Sequence, residues 1–475
     1  KYRLDGDKAT ITGYTGNASA LVLPDTLDEY AVNCIGYDAF YGNETLTEVS
    51  VPAGVERIES EAFYNCKNLK KITLSEGLKE IGYSFIRNTA ITSLTVPGTV
   101  ENVKSYFYGG EIRGATDGAL QLEEVIFEAG IKKIPGCFCS NSQLNNALVR
   151  IEIPESVEEV GDYAFYNCAG IEEINLVKGI GKIGYCAFYN CKSLKKIEFK
   201  KNEKLITGSD GKKSLYPVTV GSSAFYGCTS LKEVVLSENV VELGSEVFLN
   251  CEELETVIIP EGLKTIGYSF IKNTAVKSLT VPNTVETVNA YYYSGERKGA
   301  TDGALQLEEV IFEAGIKKIP DYFCSNNQWN DALVRVGIPE GVEEIGSHAF
   351  YNCTGIEEIN LVKEIGKIGY SAFSNCKSLK RVEFQKNEKQ VIGTDGKKTL
   401  YPVKVEAYAF YGCISLKEVV LSENVVELGN QVFEECTELE TITMPEGLKI
   451  IGYSFIKNTA VKSLTVPNTV ETVNA

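Results

Sequence analysis

Few residues in this chain could do chemistry, and their spacing limits what they could do. His348 is the single histidine among 475 residues. An imidazole acting as general base needs a nucleophile and an orienting acid within hydrogen-bond reach. The chain has no G-x-S-x-G elbow and no Cys–His arrangement, so His348, two residues before Phe350, reads as an exposed corner residue. Adjacent carboxylates recur at Glu123-Glu124, Glu158-Glu159, Glu172-Glu173 and Glu357-Glu358. Glycoside hydrolysis needs two acids facing one cleft, whereas neighbours in a strand point to opposite faces; a solvated face is the expectation. Cys137 and Cys139 form a CxC pair, but no histidine is near and Tyr322 replaces Cys137 at the matching position 185 residues on. Zinc asks for four such ligands, so no metal, catalytic residue or cofactor is expected. TGSDGKKS (207–214) and IGTDGKKT (392–399) offer one Asp each, too few oxygens for calcium, and Asp-Gly predicts a hairpin turn there.

Recognition chemistry is better represented. Tyr106-Phe107-Tyr108 and its copy Tyr291-Tyr292-Tyr293 each precede a glycine-rich insert. The neighbouring CSNNQWND carries the only tryptophan, Trp329. Aromatic side chains on loops suit carbohydrate and protein recognition, which makes Tyr106, Tyr108, Tyr291, Tyr293 and Trp329 candidate ligand contacts. One ring of each triplet is expected to fill the core. Arg150 and Arg335 are further candidates, because they lie on a charged stripe described below.

The elements that must position these residues are set by repetition. ATDGALQLEEVIFEAGIKKIP occurs unchanged at 115–135 and 300–320, and the same offset of 185 relates 230–244 to 415–429 and 266–290 to 451–475. Within each block runs a shorter unit, as in AFYNCKNLKKITLSEGLKEIG (62–82). Marker phenylalanines at 40, 63, 85, 107, 138, 165, 188 and 225 are spaced by 23, 22, 22, 31, 27, 23 and 37 residues, which together make one block. A period near 23 is too short for paired helices and fits a strand plus a tight return. Leu69, Ile72 and Leu74 should point inward while Lys71 and Thr73 point out; Gly82 permits a corner; Ala62-Phe63 should form one turn of helix on the convex side. No unit can bury its apolar face alone, so the units must stack.

Two slots follow from this alignment. The residue three after the marker is Cys at 66, 168, 191, 228, 251, 353, 376, 413 and 436, and Asn at 43, 88, 141, 273, 326 and 458. Alternation of Cys and Asn predicts a ladder within a turn, its thiols free, because parallel side chains do not aim at one another. The third strand position reads Glu124, Arg150, Glu173, Lys196 in one block and Glu309, Arg335, Glu358, Arg381 in the next. Opposite charges on adjacent strands stabilise one another by about 0.2–1 kcal/mol each, so this stripe is first a self-satisfying surface and only then a binding face.

The A-F-x-x-C-x-x-L-x-x-I-x-L skeleton resembles the BspA-type leucine-rich repeat of bacterial surface proteins, also found in treponemal proteins, over roughly 34–475; ATITGYTGNASALVLPDTL (9–27) is similar to the strands that cap such arrays. The resemblance implies a protein secreted or displayed on the cell surface that adheres to a host extracellular-matrix or cell-surface protein, a glycan or another bacterial surface. The expected fold is a β-rich α/β repeat solenoid, a right-handed leucine-rich-repeat superhelix of short parallel strands with one-turn helices outside. A β cap is expected over 1–33 and about 17 units over 34–475. A net charge of −17 argues against a nucleic-acid partner, and no run of 18 apolar residues predicts a membrane span. No signal peptide stands at Lys1 and no sorting tail at Ala475, which falls mid-block and suggests truncation. A non-enzymatic interaction scaffold is the leading expectation; a structural spacer is the alternative, and a carbohydrate-active enzyme would need a non-repeated acidic cleft that the sequence does not offer.

Overall fold

The computed structural model describes residues 1–208, 211, 213–293, 295–392 and 398–474. The chain divides into two compact units, one of Lys1–Val240 with Val247–Thr256, the other of Val241–Glu246 with Val257–Ala475. Each is a stack of parallel-strand turns. In the first unit the strands Ser93–Val96, Glu124–Phe127 and Arg150–Glu152 pair in parallel, as do Glu173–Leu176, Lys196–Phe199 and Glu233–Val235. In the second, Ser278–Val281, Glu309–Phe312 and Arg335–Gly337 do the same. A second strand per turn builds another parallel sheet, for example Lys133–Ile134, Glu159–Val160 and Lys182–Ile183. Tyr2–Asp5 and Lys8–Ile11 form an antiparallel hairpin, and Lys8–Ile11 then runs parallel to Tyr30–Ile35.

The inward phase follows the two-residue alternation. Ile72 is buried between exposed Lys71 and Thr73, and Ile197 between exposed Lys196 and Glu198. Stacking then places like on like. Phe165, Phe188 and Phe225 stack at 5.2 Å with nearly parallel rings, and Phe350, Phe373 and Phe410 repeat the spacing in the second unit.

No helix occurs among the described residues, which corrects the expected one-turn helices. The reason lies in the backbone. Glu61 and Asn65 have φ of 58° and 59°, in the left-handed region that a right-handed helix cannot contain. Alternate amides also leave the turn: Glu61 N–H donates to Tyr83, Phe63 to Phe85 and Asn65 to Arg87. Tyr64, Cys66 and Lys67 donate back within their own turn, to Glu61, Phe63 and Asn65. Bonds between turns replace the helical ladder, and they satisfy the backbone only because another turn lies alongside.

The same left-handed positions correct the Cys/Asn slot. Ser84 and Asn88 share the φ signature of Glu61 and Asn65. Phe85 therefore stands in the position of Ala62, and Ile86 fills the phenylalanine site. Asn88, Asn273 and Asn458, with φ of 55°, 53° and 59°, occupy the left-handed position one residue before the cysteine slot. Asn tolerates that conformation, and it ladders there: Asn88 Nδ2 donates to Asn65 Oδ1, Asn190 to Asn167 and Asn375 to Asn352, each at 2.9 Å. Asn43 is different. It follows Gly42, whose φ of 65° marks the left-handed residue, and so does stand in the cysteine slot.

Leu205–Thr207 pairs antiparallel with Lys213–Leu215, and Gln390–Ile392 with Lys398–Leu400, as the Asp-Gly signals predict. The turn residues at 209, 210, 212 and 393–397 lie outside the described residues.

Candidate functional site

The outward strand face carries the charged stripe. Parallel register sets Lys71 against Glu48, Arg150 against Glu124 and Arg335 against Glu309. The charges meet: Lys71 Nζ–Glu48 at 2.6 Å, Arg150 Nη1–Glu124 at 3.0 Å, Arg335 Nε–Glu309 at 3.0 Å and Arg381 Nε–Glu418 at 2.8 Å. Arg150 also binds Glu152, two residues along its own strand. Both candidate arginines are thus held by neighbours on the same face. In the second unit this face holds an open groove of about 1120 Å³, lined by Glu309, Ile311, Arg335, Gly337, Glu358 and Arg381 among others.

The aromatic triplets lie elsewhere, on two-stranded antiparallel hairpins. Tyr106–Tyr108 pairs with Glu111–Arg113, and Tyr291–Tyr293 with Glu296–Lys298. Gly109 and Gly110 both have positive φ, 60° and 83°, as a two-residue turn of this kind requires. That Gly-Gly between two short polar–aromatic runs was a hairpin signal available in the sequence. The expectation that one ring of each triplet enters the core does not hold. Phe107 is 55% exposed, Tyr108 75%, Tyr292 65% and Tyr293 69%, while Tyr106 and Tyr291 are half-buried. The corner they would have filled is taken by small residues: Phe85 N–H bonds to Ala115, Thr116 N–H to Phe138, and both Ala115 and Thr116 are fully buried. The triplet is consequently lifted off the stack.

Cations hold these rings in place. Arg113 lies over Tyr106 at 5.1 Å, Lys298 over Tyr291 at 4.8 Å, and Arg297 over both Tyr292 and Tyr351 at 5.3 and 5.1 Å. Trp329 is 64% exposed and meets Lys377, whose Nζ sits 3.0 Å from the ring centroid. Its neighbour is therefore another turn's lysine, whereas the hairpin's neighbour is Tyr351. Sequence reasoning missed the residues that anchor the insert. Asp117 is buried, accepting bonds from Ser84 Oγ at 2.9 Å, Arg87 Nη1 at 2.6 Å and Ser142 N–H at 2.7 Å. Asp302 repeats this with Ser269 and Asn327. Asp in the unchanged ATDG tract was the visible signal.

His348 is not an exposed corner. It is 5% exposed, stacked on Tyr322 at 4.8 Å and flanked by Tyr351 and Tyr370. Aromatic neighbours on three sides bury a ring that sequence position alone places outside. Neither ring nitrogen has a hydrogen-bond partner, and burial, reinforced by Arg297, pulls its pKa down to about 4. The fourteen cysteines are buried and none is joined to another in a disulfide among the described residues. The slot thiols donate to the preceding turn's carbonyl, Cys66 to Phe40 at 2.9 Å, Cys168 to Cys139 at 3.1 Å, Cys251 to Phe225 at 3.1 Å. Burial pushes Cys137 up to about 11 and Cys139 up to about 12, so both stay protonated at neutral pH. No group of three or more His, Cys, Asp or Glu suited to a metal ion occurs among the described residues, and no described helix is long and apolar enough to cross a membrane.

Comparison with known proteins agrees with this architecture. The family pattern "BspA type Leucine rich repeat region" matches in six copies, over 33–149, 115–209, 216–300, 297–395 and 402–475. Similar solved structures include a leucine-rich repeat protein from Bacteroides ovatus, at 21% identity over 93% of this chain and 92% of that one, with a TM-score of 0.48. A leucine-rich cell surface protein from Faecalibacterium prausnitzii is similar at 19% identity over 98% and 96%, TM-score 0.32. The pneumococcal vaccine antigen PcpA is similar at 16% identity over 77% and 90%, TM-score 0.39. No curated protein matches. The pattern covers nearly all of the chain from residue 33 onward, and the chain belongs to the BspA-type leucine-rich repeats.

Proposed function

We propose that this chain is a non-enzymatic scaffold, secreted or held at a bacterial surface, that binds a macromolecule through its aromatic hairpins. The partner classes are a host matrix or cell-surface protein, a glycan, or another bacterium's surface. One observation carries the reading: each block lifts a short, cation-braced hairpin out of the stack and exposes two of its three rings. Burying large apolar rings beside a fixed cation is how interface anchors gain affinity at small entropic cost. Residues 1–33 serve in this reading as a β cap over the 34–475 array, in keeping with the opening hairpin.

The test is an array of glycans and matrix proteins probed with wild type and with Tyr291→Ala/Tyr293→Ala, with Trp329→Ala as a separate variant. Point substitutions are preferable to deleting 104–118, which would remove buried Asp117. Loss of captured ligands in the tyrosine variant supports the hairpin; unchanged capture both there and in Phe107→Ala/Tyr108→Ala/Tyr292→Ala/Tyr293→Ala, which removes the exposed rings of both hairpins, rules it out. A spacer role is the second reading, favoured by the mutual neutralisation of charges on the strand face, and capture of nothing on the array would favour it.

A further inference from the structure

Two blocks that share most of their residues differ at several places on the outward strand face, and at one of them a glutamate is replaced by glycine. In the first, Glu152 lies opposite Ile126 in parallel register and gives its carboxylate to Arg150, which also binds Glu124. In the second, Gly337 lies opposite Ile311, and Arg335 keeps only Glu309; no second carboxylate comes within 4 Å of it among the described residues. Ile151, buried in the first block, becomes Val336, half-buried in the second. Ile126 is half-buried, while its counterpart Ile311 is 40% exposed. Losing the Glu152 side chain therefore opens a notch in the groove described above. Its floor is aliphatic, and its wall is a guanidinium lacking one of the two carboxylates that its copy holds.

We propose that this notch receives a glutamate side chain from an acidic segment of a partner protein. The first block displays the ligand's chemistry: a carboxylate on a short aliphatic stem, lying beside an isoleucine and bonded to the arginine. A guanidinium offers several donors in one plane, and a second carboxylate strengthens rather than replaces the first. Glu358 on the neighbouring turn carries no ion pair, but neither does Glu173, its copy, beside which Glu152 still binds Arg150. The unpaired acid is therefore no bar to occupancy. This site is on strands rather than hairpins, so it stands or falls apart from the function proposed above.

The notch can be filled or copied by single substitutions. A Cβ on Gly337 would meet Ile311 Cγ2 at 3.5 Å, an ordinary contact, and the first block already carries glutamate at this position. Gly337→Glu should therefore fold normally and occupy its own site. The probe is a Thr-Val-Glu-Val-Thr peptide immobilised densely on a sensor chip, with Thr-Val-Gln-Val-Thr beside it, at low ionic strength where exposed charge pairs are least screened. Wild type should bind the Glu surface at least about tenfold better than the Gln surface, a difference of about 1.4 kcal/mol. Gly337→Glu and Arg335→Gln should each abolish that preference. Glu152→Gly added to Gly337→Glu, which opens the same notch in the first block, should restore the preference. Tyr291→Ala/Tyr293→Ala should leave it unchanged. The proposal is overturned if wild type shows no preference for Glu, if Gly337→Glu retains the preference with an unchanged melting curve, or if adding Glu152→Gly to Gly337→Glu restores nothing.

Discussion

Ile197→Ala and Lys196→Ala are adjacent in sequence and should differ several-fold in cost. Ile197 is fully buried in the strand Lys196–Phe199, between Ile174 and Val234 of the flanking strands. Truncation to alanine removes three carbons, each worth about 0.8 kcal/mol of transfer free energy. The stacked neighbours are backbone-bonded to further turns and cannot collapse fully into the space, so a cavity cost adds to the transfer loss. The expected total is about 2–5 kcal/mol. Lys196 is half exposed, with Nζ 3.8 Å from Glu198 and 3.6 Å from Glu233. Pairs of this kind contribute less than about 1 kcal/mol. Urea unfolding followed by far-ultraviolet circular dichroism measures both, provided the slope with denaturant is unchanged between variants. Equal losses would mean the inward phase is wrong by one residue, since a one-residue slip exchanges the faces. Val382→Ala, at the matching fully buried position in the second unit, should cost less than Ile197→Ala because one carbon fewer is lost.

Thiol counting under denaturing, non-reducing conditions should find nearly all fourteen cysteines, and native protein should label slowly; recovering six or fewer would refute the ladder of free thiols. Because burial raises Cys139 and Cys324 to about 12 while the unfolded thiol ionises near 9, their contribution to stability is full below pH 9 and lost progressively towards pH 12, which urea midpoints across that range will detect. For His348 the sign is opposite: its folded pKa of about 4 lies below the unfolded value of 6.5, so stability should fall as pH drops from 6.5 to 4, and His348→Tyr should flatten that slope. Asp117→Ala strands Arg87 and three further hydrogen-bond donors and should cost about 3–5 kcal/mol in the same urea assay.

Strand phase, parallel stacking and the charged stripe were legible because each depends on a pattern of period two repeated at nearly fixed spacing. Ile72 and Ile197 could be assigned inward from their neighbours alone. The return turns were not legible in the same way. Ala62-Phe63-Tyr64-Asn65 holds no Gly or Pro to exclude a helical turn, and the left-handed residues at Glu61 and Asn65, with amides bonded to the next turn, prevent one. Those bonds come from stacking, which composition does not report. The misplacement of Asn88 has a related cause: counting from a phenylalanine assumes that every corner holds its aromatic at one position, whereas Phe85 occupies the alanine site and Ile86 the phenylalanine site. At the candidate sites the aromatic triplets were found, but not their exposure, because burial of the insert depends on Ala115 and Thr116 taking the corner.

The two blocks also indicate where a solenoid of this kind can change. An inward residue touches its counterparts on the turns above and below, as Phe188 does Phe165 and Phe225, so a change in volume must suit two neighbours at once. Outward residues answer to fewer constraints. Around the second hairpin the differences come as a set: Phe107 becomes Tyr292 at an exposed position, while Ile112 becomes Arg297, Cys137 becomes Tyr322 and Tyr163 becomes His348 at buried or half-buried ones. In the first block Phe107 meets Tyr163 edge-on at 5.7 Å. In the second, Arg297 fills the space between Tyr292 and Tyr351, and His348 stacks on Tyr322. Together the four make an aromatic–cation cluster that the first block lacks. The loss of Glu152 at Gly337 is the same process on the strand face, where one substitution suffices because nothing stacks upon it. A repeat protein duplicated as a block therefore keeps its core by mutual constraint and acquires distinct surfaces where that constraint ends.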